Sequence, residues 1–83
     1  MHEWAIAEEL LEQACNRARE GGIVRISQIE VCLGEDSHLT EEALRTSFDL
    51  LKKGTMAREA VLKVDAGDGR SLLLVSIQGE AAE

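Results

Sequence analysis

The sequence contains no proline, no cysteine pair at C-x-x-C spacing and only two aromatic residues, Trp4 and Phe48. With so few aromatics, the core must be built from Leu, Ile, Val and Ala. The two cysteines, Cys15 and Cys32, lie too far apart for a zinc site made of cysteine pairs. They fit reduced thiols, and we expect no zinc in this chain.

Basic residues are also scarce, since nine Lys and Arg stand against sixteen Asp and Glu, a net charge of −7. Nucleic acid binding depends on Lys and Arg that neutralise phosphates, so this balance argues against it. It argues equally against an anionic membrane surface. A cationic ligand or a basic protein partner suits the charge better.

Long apolar runs are missing too. No segment approaches the roughly 20 apolar residues that cross a bilayer. The first residues lack the basic region and apolar run of a signal peptide, because Glu3, Glu8 and Glu9 come too early. We therefore predict a cytoplasmic protein without a membrane partner.

The length of 83 residues predicts one small domain. From about Glu3 to Glu20, apolar residues recur at steps of three and four, which predicts an amphipathic helix that ends at Gly21 and Gly22. The predicted buried stripe consists of Trp4, Ala7, Leu10, Leu11, Ala14, Cys15 and Ala18.

The next segment, "IVRISQIEVCLGE", shows the period of two that is typical of a strand, with a bulge near Ser27. Thr40 is a suitable N-cap for a second helix, and Gly54 a suitable stop. The predicted inward positions are Ile29, Val31 and Leu33 in the strand, and Leu44, Phe48 and Leu51 in the helix.

Two apolar runs flank Gly67, Asp68 and Gly69, which predicts a hairpin. We expect its inward residues to be Leu62, Val64, Leu73, Val75 and Ile77. The element order is then α-β-α-β-β. By the layer rule it predicts an α+β fold with two helices packed on one face of a small mixed three-stranded sheet. The strand order is not readable.

Catalytic motifs find little support in this chain. No serine has a histidine placed beside it, no carboxylate pair suggests a pocket, and no glycine-rich phosphate loop exists. The chain is therefore not expected to be an enzyme. We interpret His38 as an exposed loop residue, and Cys32 as a small apolar filler on the sheet face away from the helices.

His2 differs from these residues because of its covalent geometry. Its imidazole, its own backbone nitrogen and the terminal amine can close adjacent chelate rings on one metal, and the Glu3 nitrogen can offer a further donor. Such planar nitrogen donors suit Ni(II) or Cu(II). The first four N–H groups of a helix have no intrahelical acceptor, so a metal bound there is compatible with the helix. The alternative is that His2 is an ordinary polar residue that binds no metal.

The sequence resembles the HypA/HybF family of hydrogenase nickel-incorporation proteins. The similarity is carried, in order, by "MHEWAIAE", "RISQIEVCLGE", "LTEEALRTSFDLLKKGT", "EAVLKV" and "SLLLVSIQGE", and it extends to about Gly79. The resemblance implies a metallochaperone with a Ni(II) site at the N-terminus, whose matching residues here are Met1, His2 and Glu3. It also implies two partners, a nickel-handling GTPase of HypB type and the large subunit of [NiFe]-hydrogenase.

One departure from the family is large. Its members carry a zinc domain with two C-x-x-C pairs between the last strands, where this chain has only "DAGDG". We therefore predict a single nickel-binding domain over residues 1–79, with a turn near 65–70 in place of the zinc domain and a loose tail over 80–83. The chain is either a natural zinc-less variant or a form from which that domain has been cut out.

Other functional readings stay open. The chain could be a metal-independent module that docks on the GTPase or the hydrogenase, or a folded core made for structural study. We also predict a weak homodimer. If the inward residues are as stated, the uncovered face of the sheet exposes Cys32, Val61, Leu72 and Leu74, and exposed apolar patches mark interaction surfaces.

Overall fold

A computed structural model describes residues 2–82 of the chain, and the side chains of residues 3–82. The elements are α1 (His2–Glu20), β1 (Ile23–Gly34), α2 (Glu41–Leu51), β2 (Val61–Gly67) and β3 (Leu72–Ala81). Both helices and a mixed sheet are present in the predicted order, so the α+β class is confirmed. No helix within residues 2–82 is long and apolar enough to cross a membrane.

Helix α1 buries the stripe that its periodicity predicts, with one exception at its start. Ala7, Ala14 and Ala18 are fully buried, and Leu10, Leu11 and Cys15 nearly so. Trp4 is 38% exposed, in the first turn of the helix, where it borders an open cavity next to α2. After α1 the backbone turns at Gly22, whose φ of +76° suits glycine.

Helix α2 begins as predicted at Thr40, whose hydroxyl oxygen accepts a hydrogen bond from the Ala43 amide at 3.1 Å. Leu44 and Phe48 are fully buried between the helix and the rest of the core. The chain leaves the helix through Gly54, which has a φ of +77°. The predicted cap at Thr40 and the burial of Leu44 and Phe48 are therefore confirmed, whereas Leu51 is only half-buried and the helix ends there, three residues before the predicted stop at Gly54.

The sheet has the order β2-β1-β3, so the predicted hairpin is wrong. Strand β2 runs parallel to β1 on one side, and β3 runs antiparallel to it on the other. The connection between β2 and β3 passes across the end of β1. There the Glu35 amide donates to the Gly67 carbonyl at 2.8 Å, and the Asp36 amide to the Gly69 carbonyl at 2.9 Å.

Strand β1 lies at the centre of the sheet and carries most of its buried side chains. Ile26, Ile29 and Val31 are fully buried. Ile26 and Ile29 both point inward because the register with β3 shifts between Ile26 and Gln28, which confirms the bulge near Ser27.

In the first half of strand β3, the side chains that point inward are the ones predicted to point outward, and the reverse. Leu72 and Leu74 pack against the core, whereas Leu73 is 59% and Val75 52% exposed. The reason is a second bulge. Leu74 pairs with Val31 and Ser76 with Glu30, which leaves Val75 as an extra residue and changes the frame of alternation. Ile77, beyond the bulge, packs inward as predicted.

The loose tail predicted over residues 80–83 begins inside strand β3. Strand β3 continues to Ala81, which pairs with Ile23, and Glu80 pairs with Arg25. The Ala82 amide then donates to the Gly22 carbonyl at 3.4 Å. These pairings extend the sheet to the end of the described residues, and the last residue of the predicted tail, Glu83, lies outside them.

Candidate functional site

The predicted metal site lies at the first turn of α1. This helix begins at His2, so the backbone amides of His2 and Glu3 belong to the set that finds no acceptor within the helix. The Glu3 side chain is half-buried. Met1, the remaining predicted ligand, lies outside the described residues.

A cavity of about 390 Å³ opens beside this first turn. It is lined by Glu3, Ile6, Ser37, His38, Leu39 and Arg70. The loop after β1 forms one wall. Its shape is fixed by the Ser37 hydroxyl, which accepts a hydrogen bond from the Leu39 amide at 3.1 Å, and by Leu39 itself, which is buried in the core.

The position of His38 close to the start of α1 was not predicted from the sequence. It is exposed in a loop, as predicted, but the fold brings this loop to the start of α1. His38 therefore borders the same cavity as Glu3, the residue that follows the other histidine of the chain, His2. The sequence carries no local signal for this, because the proximity depends on how β1 directs the chain toward α2.

Glu3 also borders a second cavity of about 430 Å³ on the other side of the first turn, toward α2. Trp4, Ala43 and Leu50 contribute its apolar wall, and Leu50 is 53% exposed. Glu42 and Thr46 supply polar groups. The start of α1 thus lies between two cavities with largely apolar walls, and His38 and Arg70 border the first of them.

Side chains alone do not assemble a metal centre within residues 3–82, where no group of three His, Cys, Asp or Glu residues converges. Cys15 and Cys32 are free thiols on different elements, Cys15 buried on α1 and Cys32 half-buried on β1. Burial raises the pKa of the Cys15 thiol, and the charge of nearby Arg19 partly offsets this. Cys15 is consequently a poor source of thiolate for a metal.

The fold is shared with two solved structures. The solution structure of the Ni metallochaperone HypA from Helicobacter pylori superposes with a TM-score of 0.74 over 89% of this chain and 70% of that one, at 15% sequence identity. A second solution structure, of a HypA protein, gives a TM-score of 0.62 at 19% identity, over 82% of this chain and 56% of that one. At such identities the likeness establishes the fold.

Sequence comparison establishes the family. The model of the family described as "Hydrogenase/urease nickel incorporation, metallochaperone, hypA" matches residues 1–71. The hydrogenase maturation factor HypA of Chlorobium luteolum is 40% identical over 70 residues, which cover 84% of this chain and 60% of that protein. The HypA of Rhizobium leguminosarum bv. viciae is 32% identical over 71 residues, covering 83% and 63%.

The chain belongs to the HypA family, which confirms the resemblance seen in its sequence. This is a family of metallochaperones, so the prediction that the chain is not an enzyme is also confirmed. The chain spans about three fifths of the length of these relatives.

Proposed function

We propose that the chain binds Ni(II) through Met1, His2 and Glu3 and helps to insert nickel into [NiFe]-hydrogenase. The observation that carries this proposal is that α1 begins at His2, which leaves the amide nitrogens of His2 and Glu3 without helical acceptors. The Met1 amine and the His2 imidazole complete a set of nitrogen donors that are adjacent along the chain. We propose nickel as the metal because the family to which the chain belongs is described as one of nickel incorporation.

Helix electrostatics add a condition to this binding. The N-terminus of a helix carries a partial positive charge, which disfavours a cation. Ni(II) is therefore held there by amide nitrogens that have lost their protons and become anionic. Binding must release protons and weaken on acidification, because amine, imidazole and amides all have to be deprotonated.

The decisive experiment is a nickel titration of the wild-type chain and two variants. His2→Ala removes the imidazole, and one residue added before Met1 moves the amine out of the chelate. Each change should abolish stoichiometric binding, together with the visible absorption of planar Ni(II), and leave the circular dichroism spectrum intact. Unchanged nickel binding in both variants would exclude the proposed site.

The matched control is His38→Ala. It removes the other imidazole of the chain, which borders the same cavity as Glu3, and leaves the chelate rings of the first residues untouched. Nickel stoichiometry should survive this change. A loss equal to that in His2→Ala would mean that nickel is bound across the cavity and not by consecutive residues.

The partners follow from family membership and are part of the proposal. We propose that the chain receives or passes nickel through a HypB-type GTPase and delivers it to the hydrogenase large subunit. Support comes from the relatives, which are hydrogenase maturation factors. Transfer is tested by loading the chain with nickel, mixing it with each partner and measuring the nickel that each protein holds after separation.

A metal-independent docking module is the competing function. It predicts that His2→Ala binds the GTPase and the large subunit as the wild-type chain does and still supports hydrogenase maturation. The nickel proposal predicts that docking survives in His2→Ala but that hydrogenase activity in cells is lost. Hydrogenase assays in cells that carry each variant distinguish the two.

A further inference from the structure

The cavity of about 430 Å³ beside the start of α1 forms a groove between the two helices, which we call the α1–α2 groove. Trp4 lines it on the α1 side, and Ala43, Ser47 and Leu50 line it on the α2 side. The groove exists because α2 presents the small side chains of Ala43 and Ser47 here, whereas its largest side chain, Phe48, is fully buried in the core.

Two large apolar side chains are exposed at this groove. Leu50 is 53% and Trp4 38% exposed, although every other leucine of the two helices is buried or half-buried. Tryptophan is among the residues that contribute most to binding at protein interfaces. Because the two exposed side chains line one cavity, they form a patch of the kind that marks an interaction surface.

The charge around the α1–α2 groove is negative. Glu3 and Glu42 line it, and Glu8 follows Trp4 one turn further along α1, on the same side of that helix. Among the ion pairs between the described side chains, none includes Glu8 or Glu42. These carboxylates can therefore pair with basic groups of another protein.

The cations of α2 and its C-cap do not neutralise this charge, because other elements bind them. Arg45 Nη1 donates to the Leu62 carbonyl oxygen at 2.7 Å, and Lys52 Nζ donates to the Ala60 carbonyl oxygen at 3.1 Å. Both side chains are thus held by β2 and the residue that precedes it. The groove keeps an apolar wall with an acidic border.

The walls of the groove also restrict the conformation of what binds in it. Both walls are helices, and beyond their first and last turns their backbone groups bond within the helix. They offer no edge to which an extended strand could pair. A helix satisfies its own backbone groups and can bind through side chains alone, as amphipathic helices do in apolar grooves.

We infer that the α1–α2 groove binds an amphipathic helix of a partner protein, which inserts apolar side chains between Trp4 and Leu50 and carries Lys or Arg on its flanks. Glu3, Glu8 and Glu42 attract those cations, and the same charges disfavour acidic segments. A helix bound here lies beside the first turn of α1, next to the proposed nickel site. Binding in the groove needs no metal, so the inference does not depend on the nickel proposal.

The test uses a synthetic amphipathic helix with leucines on one face and lysines on both flanks. A matched peptide has glutamate in place of every lysine, and neither peptide contains tryptophan. Trp4 is the single tryptophan of the chain, so its fluorescence reports on the groove. With a chelator present, the lysine peptide should shift the Trp4 emission to shorter wavelength, and added salt should weaken its binding. The glutamate peptide should leave the emission unchanged.

Two leucine variants test where the peptide binds. Leu50→Lys places a cation in the apolar wall of the groove and should abolish the emission shift. Leu73→Lys is the matched control, because Leu73 is 59% exposed but lies on β3. It should bind the lysine peptide almost as the wild-type chain does. Circular dichroism checks that each variant is folded.

Two double variants test the selection by charge. E8K/E42K replaces two attractive contacts with two repulsive ones and should raise the dissociation constant of the lysine peptide about tenfold. E20K/E80K makes the same change in net charge at exposed positions outside the lining of the groove. Its effect should be much smaller, because charges at a distance are screened by salt.

Four outcomes would overturn the inference. They are the absence of an emission shift with the lysine peptide, equal binding of the glutamate peptide, equal losses in Leu50→Lys and Leu73→Lys, and a shift of the Trp4 emission with rising chain concentration alone. The last outcome would assign the groove to a second copy of the chain. None of them alters the nickel titration, so this inference and the nickel proposal fail separately.

Discussion

The backbone amide of Gly34 donates to the carbonyl oxygen of Ser71 at 2.9 Å, at the point where the β2–β3 connection passes the end of β1. The approach is so close that a Cβ on Gly34 would overlap the Gly69 carbonyl oxygen and come within 2.6 Å of the Gly69 carbonyl carbon. Both atoms belong to the backbone, so the connection cannot make room by rotating a side chain.

Gly34→Ala should therefore lower the free energy of unfolding by about 1–3 kcal/mol, as overpacking does in a tight site. Gly21→Ala is the control, since its Cβ would meet the Arg17 carbonyl oxygen at an ordinary 3.6 Å, and it should change stability by less than about 0.5 kcal/mol. Urea denaturation of both variants measures the difference. Equal stability of the two would show that the connection moves freely over β1.

The Thr40 cap predicts a second, smaller effect. Thr40→Ala removes the acceptor of the Ala43 amide and should lower the free energy of unfolding by about 1 kcal/mol. Thr46→Ala is the matched change on the exposed surface of the same helix, where no cap is lost, and it should be close to neutral. Thermal unfolding followed by circular dichroism compares them. A neutral Thr40→Ala would mean that packing of Phe48 alone sets where α2 begins.

Cys15 predicts a loss of stability at alkaline pH. Burial raises the pKa of its thiol above its ordinary value, and the charge of Arg19 opposes the shift. In the unfolded chain the thiol loses its proton at lower pH than in the folded one. As the pH rises through this interval the unfolded chain binds fewer protons, so the free energy of unfolding falls. The contribution is complete well below the pKa of the unfolded thiol and is lost as the pH rises toward the higher pKa of the folded one.

Denaturation with urea at several pH values from about 8 upward measures this slope. Cys15→Ala should make the decline shallower, whereas Cys32→Ala, which alters the half-buried cysteine of β1, should keep it. An identical decline in wild type and Cys15→Ala would assign the alkaline loss to other groups.

Removal of metal should leave the fold unchanged. The core is a continuous cluster of buried apolar side chains from both helices and the sheet. The two cysteines lie on different elements, and we expect that no zinc is needed to join these elements. We expect treatment with a chelator to preserve the circular dichroism spectrum and the thermal midpoint. Collapse of either signal would identify a structural metal.

The helices and β1 could be predicted from the sequence because their determinants are local. The stripe of α1, the Thr40 cap and the alternation of Ile29, Val31 and Leu33 each depend on residues a few positions apart. The hairpin prediction was wrong because Gly67, Asp68 and Gly69 indicate that the chain reverses direction, but they do not indicate whether the two strands pair with each other. Only the pairing of both strands with β1 decides that.

The frame of β3 and the surroundings of the site were unpredictable for a related reason. Leu72 to Val75 are all apolar, so either alternation fits them, and the bulge at Val75 becomes evident only in the register with β1. His38 likewise reaches the neighbourhood of Glu3 through the path of the loop. His2 could be predicted as a metal ligand because the chelate rings that it would form involve only consecutive residues.

The central position of β1 has a consequence for how the chain folds. Neither β2 nor β3 has a pairing partner until β1 is in place, because β1 lies between them in the sheet. Each of these two pairings closes a long loop, which costs entropy before the pairing compensates for it. We expect the amides of β1, which has a neighbouring strand on each side, to exchange more slowly than those of the edge strands β2 and β3.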